Sequence, residues 1–241
     1  MPWASCGNAT CLAGDREVLE VIIFAEGLTE EQFIKRVIAP VFRPNKIFLK
    51  PQLLKTSQDA KGGAVNFDRL KLNARNALRQ NPNAILSTFL DLYGLDTNFP
   101  CHAESKLCAD VYARTNMLEN ALHQDMVGYI GCQPERFIPH IQPYEFEGLL
   151  FSDVDSLVRV EPLWKRYLPK LQQVRSAFDT PEHINDSYQK KPSARLESIL
   201  QPKYKKTRHG PLAAEQITLA VMERECVHFK GWLASLRGLA D

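Results

Sequence analysis

Four acidic residues, Glu26, Asp91, Glu145 and Glu147, fall where predicted strands end, and their chemistry is that of ligands for a hard divalent cation. Carboxylates gathered in one place repel each other, and a cation relieves the repulsion. An all-oxygen set selects Mg2+ or Mn2+ over zinc. A cation held this way polarises a phosphodiester and activates water, and two cations clamp the attacking and leaving oxygens. Glu26 is in addition a candidate general acid or base. The alternative is that each acid solvates a loop end or caps a helix, and spacing alone does not separate the two. Asp153 and Asp155 read as caps of the helix that follows them and stay outside the set.

The elements around these acids explain why they should meet. Val21, Ile22, Ile23 and Phe24 form a continuous, β-branched apolar run, the pattern of a strand covered on both faces in a parallel sheet. Glu26 and Gly27 follow at once. Glycine there permits positive φ and lets a phosphate approach the backbone, and Thr29 with Gln32 has capping-box spacing for a helix reaching about Phe42. Lys46 to Lys50 is a second short strand, and Ala84 to Leu90 is another apolar run that ends on an acid, Asp91. Strand, acid and helix in this order place carboxylates at the carboxyl edge of a sheet, where open α/β folds bind ligands.

Helices are expected over 65–80, stopped by Asn81-Pro82, and over 111–126. Residues 136–142 read as a strand that Pro139 confines to an edge or bulge. Glu145 and Glu147 follow it at the start of a short helix, and the sequence does not decide which of them faces inward. The polar stretch through Lys61, Gly62 and Gly63 and the loop 92–109 are candidate ligand contacts. Beyond Asp155 helical patterns cover 156–178, 193–200 and 211–237, with no strand among them. The expected organisation is an irregular tail over 1–15, an α/β core over 16–155 and a helical part over 156–241 packed on it.

The 241 residues are enough for one large core, and 44% apolar with 24% charged residues excludes a disordered chain. A net charge of +2 carries no case for a nucleic-acid partner by itself. Its distribution does. Lys190, Lys191, Arg195, Lys203, Lys205, Lys206 and Arg208 crowd one segment in which Glu197 is the only acid. Lys203, Lys205, Lys206, Arg208 and His209 are candidate phosphate contacts, and Tyr204 a candidate for stacking on a base. A solvated basic loop is the competing reading, and for His209 a structural hydrogen bond or a helix-start role competes with phosphate binding.

Cysteines at 6, 11, 101, 108, 132 and 226 lack both zinc-ribbon pairing and disulfide-scaffold density, so reduced thiols and a cytoplasmic location are expected. A zinc site built from Cys101, His102 and Cys108 with His123 or Cys132 is set aside for irregular spacing, and His140 reads as a core histidine. No run is long enough to span a membrane, and no Walker lysine motif is present, so an ATPase would be another chain. Homo-oligomerisation is left open.

At these residues the chain resembles the Toprim domain of topoisomerases, bacterial primases and OLD-type nucleases. Glu26-Gly27 matches its signature glutamate, whereas Asp91-Leu92-Tyr93 keeps the first acid of its second motif and has tyrosine for the other. More closely, EGLTEEQF, LDLYGL, FIPHIQPYEFEGLLFSD, PEHIND and YKKTRHGPLAAEQI resemble the bacterial family labelled domain of unknown function 4276, from about Glu20 to Leu236. The resemblance implies a Toprim-like, Rossmann-like, mostly parallel sheet flanked by helices. It also implies a Mg2+-dependent nuclease in which Lys206 stabilises transition-state charge, with nucleic acid and an ABC-type or OLD-like ATPase as partners in bacterial anti-phage defence. Two rival readings stand beside it: a degenerate module that binds nucleic acid or the ATPase without catalysis, which Tyr93 favours, and a phosphotransfer or nucleotide-handling enzyme.

Overall fold

The computed structural model describes residues 18–54, 64–185 and 187–240. The expected tail over 1–15, the Lys61–Gly63 loop, Cys6 and Cys11 lie outside the described residues. Five strands, β1 (Leu19–Ala25), β2 (Ile47–Leu53), β3 (Ile85–Asp91), β4 (Phe137–Ile138) and β5 (Ile141–Gln142), form one sheet. The order is β2-β1-β3-β4, with β5 also on β3, and every pairing is parallel. The chain therefore has an α/β fold: a parallel sheet flanked by helices, with a helical carboxyl-terminal part.

Side chains alternate across a strand. Val21, Ile23 and Ala25 enter one core with the helical run 28–42 and the carboxyl-terminal helices. Ile22 and Phe24 enter a second core with the helices Phe67–Gln80 and Val111–Ile130. Cover on both faces is why β1 and β3 are mostly apolar, with Ser87 and Thr88 of β3 buried and donating to the carbonyls of Ile138 and His140. The 155/156 division falls inside the Val154–Leu157 helix, and Leu149 and Trp164, from either side of it, share one core.

Local chemistry fixes the element ends. Asn66 caps Phe67–Gln80 by accepting from Arg69 N–H, and Asp110 caps Val111–Ile130 by accepting from Tyr112 and Ala113 N–H at 2.9 and 3.0 Å. Gly131, at φ 72°, closes the latter helix one turn beyond the expected end. The expected strand over 136–142 is split at Pro139 and His140. There Thr88 Oγ1 donates to His140 O at 2.9 Å and accepts from His140 N–H at 2.8 Å, so a side chain supplements the backbone bond from Leu90 N–H to His140 O.

Three expectations are corrected. The Thr29 and Gln32 capping box does not form, because the helix begins two residues early: Gly27 is the N-cap and makes no side-chain bond. The expected helix 156–178 is broken into Val154–Leu157, the 3-10 turns Val158–Val160 and Pro162–Tyr167, and Leu168–Ser176, with a proline opening each of the last two. The expected helix 211–237 starts earlier, at Lys206, and is divided at Thr218 (φ 74°) and Cys226 into Lys206–Ile217, Leu219–Glu225 and Val227–Arg237. No helix of the described residues is long and apolar enough to cross a membrane.

Candidate metal centre

β1 and β3 are parallel neighbours, so their carboxyl ends lie side by side and deliver Glu26 and Asp91 to one place. The Asp91 backbone N–H donates to the Glu26 carboxylate, and Asp91 Oδ1 accepts from Phe146 N–H at 2.8 Å. That second bond draws the segment after β5 across the sheet end. Glu145 is still extended there (φ −148°, ψ 153°), so Phe146 turns into the core against Phe33, and Glu145 and Glu147 both join Asp91. Oxygens of Asp91, Glu145 and Glu147 lie within 4.8 Å of one another. Both glutamates thus face inward.

Lys206, the first residue of its helix, donates to Glu145 Oε1 at 3.2 Å and to Glu147 Oε2 at 3.1 Å. Lys191 also reaches Glu145 Oε1, at 2.8 Å, and Ser193 N–H donates to Glu145 Oε2 at 3.0 Å. Sequence reasoning missed a fifth acid, Glu30, which is buried in the first turn after Gly27 and receives hydrogen bonds from the backbone of Glu30 and Gly27. Its signal was present: it lies one helical turn beyond Glu26. Lys191 was passed over in favour of Lys206, and only the fold brings both to Glu145.

The electrostatics are those of an acid excess in a dry place. Burial, then Glu30, raises Glu26 to about 7; burial raises Glu147 to about 7 against the pull of Lys206. Burial, then Glu30 and Glu26, pushes Asp91 well above the usual carboxylate range, and burial also raises Glu30. Glu145 goes the other way: burial opposes its charge, but Lys206, Lys191 and Ser193 together hold it below its ordinary value. Lys206 is itself pushed upward, since Glu147, Glu145 and Asp91 outweigh the cost of its burial. Five carboxylates therefore share two ammonium groups, and Glu26 Oε2 is buried without a hydrogen-bond partner. An orphaned oxygen amid oxygen donors fits Mg2+ or Mn2+.

The remaining candidates divide. Gly27 is extended (φ −147°), so no left-handed conformation demands glycine, and what packs on it is the Glu30 carboxylate. Lys203 is exposed and pairs with Glu197 at 3.1 Å, while Lys205 and Arg208 lie exposed at the helix start. His209 is a correction: it is buried, its Nδ1 accepts from Lys205 N–H at 2.9 Å, and its ring meets Trp164 edge-on, which is a helix-start role. Tyr204 is another, being buried with its hydroxyl donating to Glu147 Oε1 at 3.4 Å and so closed to a base. Asp153 caps Val154–Leu157 as expected.

Two predictions follow from this packing. A Cβ built on Gly94 overlaps the Glu26 carboxylate, so Gly94→Ala displaces Glu26 and should weaken Mg2+ binding, read by calorimetric titration, at least about tenfold. Unchanged affinity would separate Glu26 from the metal.

The second concerns pH. Glu26 and Glu147 titrate near 7 when folded against an ordinary 4.5, so the folded chain holds more protons across that window than the unfolded one. Stability of the metal-free protein should fall as pH rises through it, with the full penalty present above about 7. Glu145, held low, acts in the opposite sense but below the window. Melts in EDTA should decline from pH 4.5 to 7.5, and saturating Mg2+ should abolish the decline; a melt that climbs with pH in EDTA contradicts it.

Among comparisons with known proteins, the family model described as Domain of unknown function (DUF4276) matches residues 25–237. No curated protein and no solved structure matches the chain.

Proposed function

The chain belongs to the DUF4276 family, and from the acidic site inside the matched region we propose that it is a Mg2+- or Mn2+-dependent phosphodiesterase acting on nucleic acid. The observation that carries this reading is the convergence of Glu26, Glu30, Asp91, Glu145 and Glu147, from three separated stretches of chain, around Lys206. These carboxylates would hold the metal. When bound, it supplies Lewis-acid polarisation of the phosphodiester and activation of water. Lys206, with a side chain 40% exposed beside buried acids, is placed to hold a phosphate oxygen and balance transition-state charge. The raised value of Glu26 belongs to the metal-free site, and a bound cation would favour its ionised, ligating form.

Three tyrosines at the site support a nucleic-acid substrate. Tyr93 packs on Tyr144 and Tyr188 at 5.4 and 5.5 Å between ring centroids, Tyr188 is 60% exposed, and Lys191 lies 4.2 Å from its ring centre. Exposed aromatic faces beside a cation stack unpaired bases without sequence preference. An ABC-type or OLD-like ATPase partner and a role in anti-phage defence enter the proposal through sequence resemblance alone.

The rival binding module is favoured by Tyr93 at the motif position and by the two lysines already paired with Glu145. One assay separates the readings: the full chain incubated with single- and double-stranded DNA, RNA and mononucleotides in Mg2+, Mn2+ or EDTA. Polymer cleavage that needs metal and stops in EDTA is expected. No cleavage, together with a calorimetric titration that shows no Mg2+ or Mn2+ binding dependent on Glu26 and Asp91, supports the binding module, and hydrolysis confined to mononucleotides supports a nucleotide-handling enzyme.

A further inference from the structure

We infer that Glu119, His140 and His228 form a second metal site, which takes a borderline divalent cation such as Zn2+ or Co2+. They come from three elements: the Val111–Ile130 helix, the break between β4 and β5, and the first turn of Val227–Arg237. One ligand atom from each lies within 4.8 Å of the others, with Glu119 Oε1 at 2.8 Å from His228 Nε2 and 3.7 Å from His140 Nδ1. All three line a cavity of about 420 Å³ that Tyr112 and Asn116 also border.

The surroundings orient the ligands. Glu119 Oε1 accepts from Ile141 N–H at 2.6 Å, and His228 N–H donates to the buried Glu182 at 3.0 Å. The His140 ring, 1% exposed, stacks on Trp232 at 4.8 Å and on His228 at 5.1 Å. His140 Nε2 lies 3.2 Å from Gln142 Oε1, which accepts its proton. That leaves a lone pair on Nδ1, facing Glu119 Oε1 across a gap too long for a hydrogen bond. A cation between them would take both the Nδ1 lone pair and the carboxylate oxygen, which in its absence accepts from Ile141 N–H and lies 2.8 Å from His228 Nε2. A metal-ligating histidine that donates its other N–H to a fixed acceptor is the usual arrangement. Two imidazoles and one carboxylate suit zinc-like ions rather than Mg2+, and three protein ligands leave a fourth position open toward the cavity. Such a site fastens the Val227–Arg237 helix to the end of the sheet and exposes the ion to a small ligand.

The test is Co2+ titration of the metal-stripped full chain, followed by visible absorption and by elemental analysis after dialysis. It is run in parallel on Glu26→Gln, which leaves this site intact. An intense d–d band saturating at one equivalent in both proteins is expected, with affinity lowered at least about 100-fold in Glu119→Gln and in His228→Asn. Absence of that band in the wild-type chain overturns the inference, and so does equal affinity in Glu119→Gln. In either case the cluster is a proton-bridged hydrogen-bond network only. Should His228→Asn fail to fold, Glu119→Gln, whose amide oxygen still accepts from Ile141, decides alone.

Discussion

Glu26→Gln should lower metal-dependent cleavage of nucleic acid by at least about 10³-fold while leaving the fold as stable as before, or more so, at pH 8. The two halves have one cause. Glu26 is raised to about 7 by burial and by Glu30, so at pH 8 its ionised form is held at a cost that only a cation offsets. Glutamine keeps the shape beside Gly94 and Asp91 and removes the charge. Its amide nitrogen can also donate to a neighbouring carboxylate, where Glu26 Oε2 now has no partner. Single-turnover cleavage and a thermal melt measured on the same preparation check both halves. Retained cleavage, or a melt that collapses, contradicts the assignment of Glu26 to the metal.

Lys206→Met should have the opposite signature, because the lysine is both a structural counter-charge and a phosphate contact. Its removal strands Glu145 and Glu147, whose side chains are 3% and 1% exposed. Breaking a buried pair commonly costs several kcal/mol; with Lys206 40% exposed, and Lys191 still on Glu145, about 2 kcal/mol is expected. For a chain of this size that lowers the melt by about 4–8 °C. Mg2+ at about 100 times its Kd stabilises the folded state by about 2.7 kcal/mol, so saturating metal should restore the melt. Cleavage should stay impaired even then, since the metal replaces the missing charge on the acids but not the donor to phosphate. A melt unaffected by the substitution, or cleavage restored along with stability, shows that Lys206 does not hold both roles.

Much of the frame was legible because local physics and tertiary structure agree. β1 and β3 are covered on both faces and so are mostly apolar, whereas the caps at Asn66 and Asp110 and the stop at Gly131, though local chemistry, were not read from the sequence. Glu26 and Asp91 were found because each ends such a strand. Glu30 was not, since a helical acid next to Thr29 and Gln32 looks like cap chemistry until the fold buries it. The basic segment misled for a related reason: charge density does not say which side chains turn inward. Lys206 and Lys191 do, Lys203 pairs on the surface, and His209 and Tyr204 serve the helix start and Glu147. Glu119, His140 and His228 span more than 100 residues of chain, and no local spacing announces them.

Anomalous scattering from crystals soaked in Mn2+ tests the metal centre most directly. A peak bounded by oxygens of Glu26, Asp91 and Glu147, with Lys206 drawn off at least one of its two glutamates, is the predicted result. Crystals with no peak among those acids at saturating Mn2+, and with Lys206 still bound to Glu145 and Glu147, would contradict it.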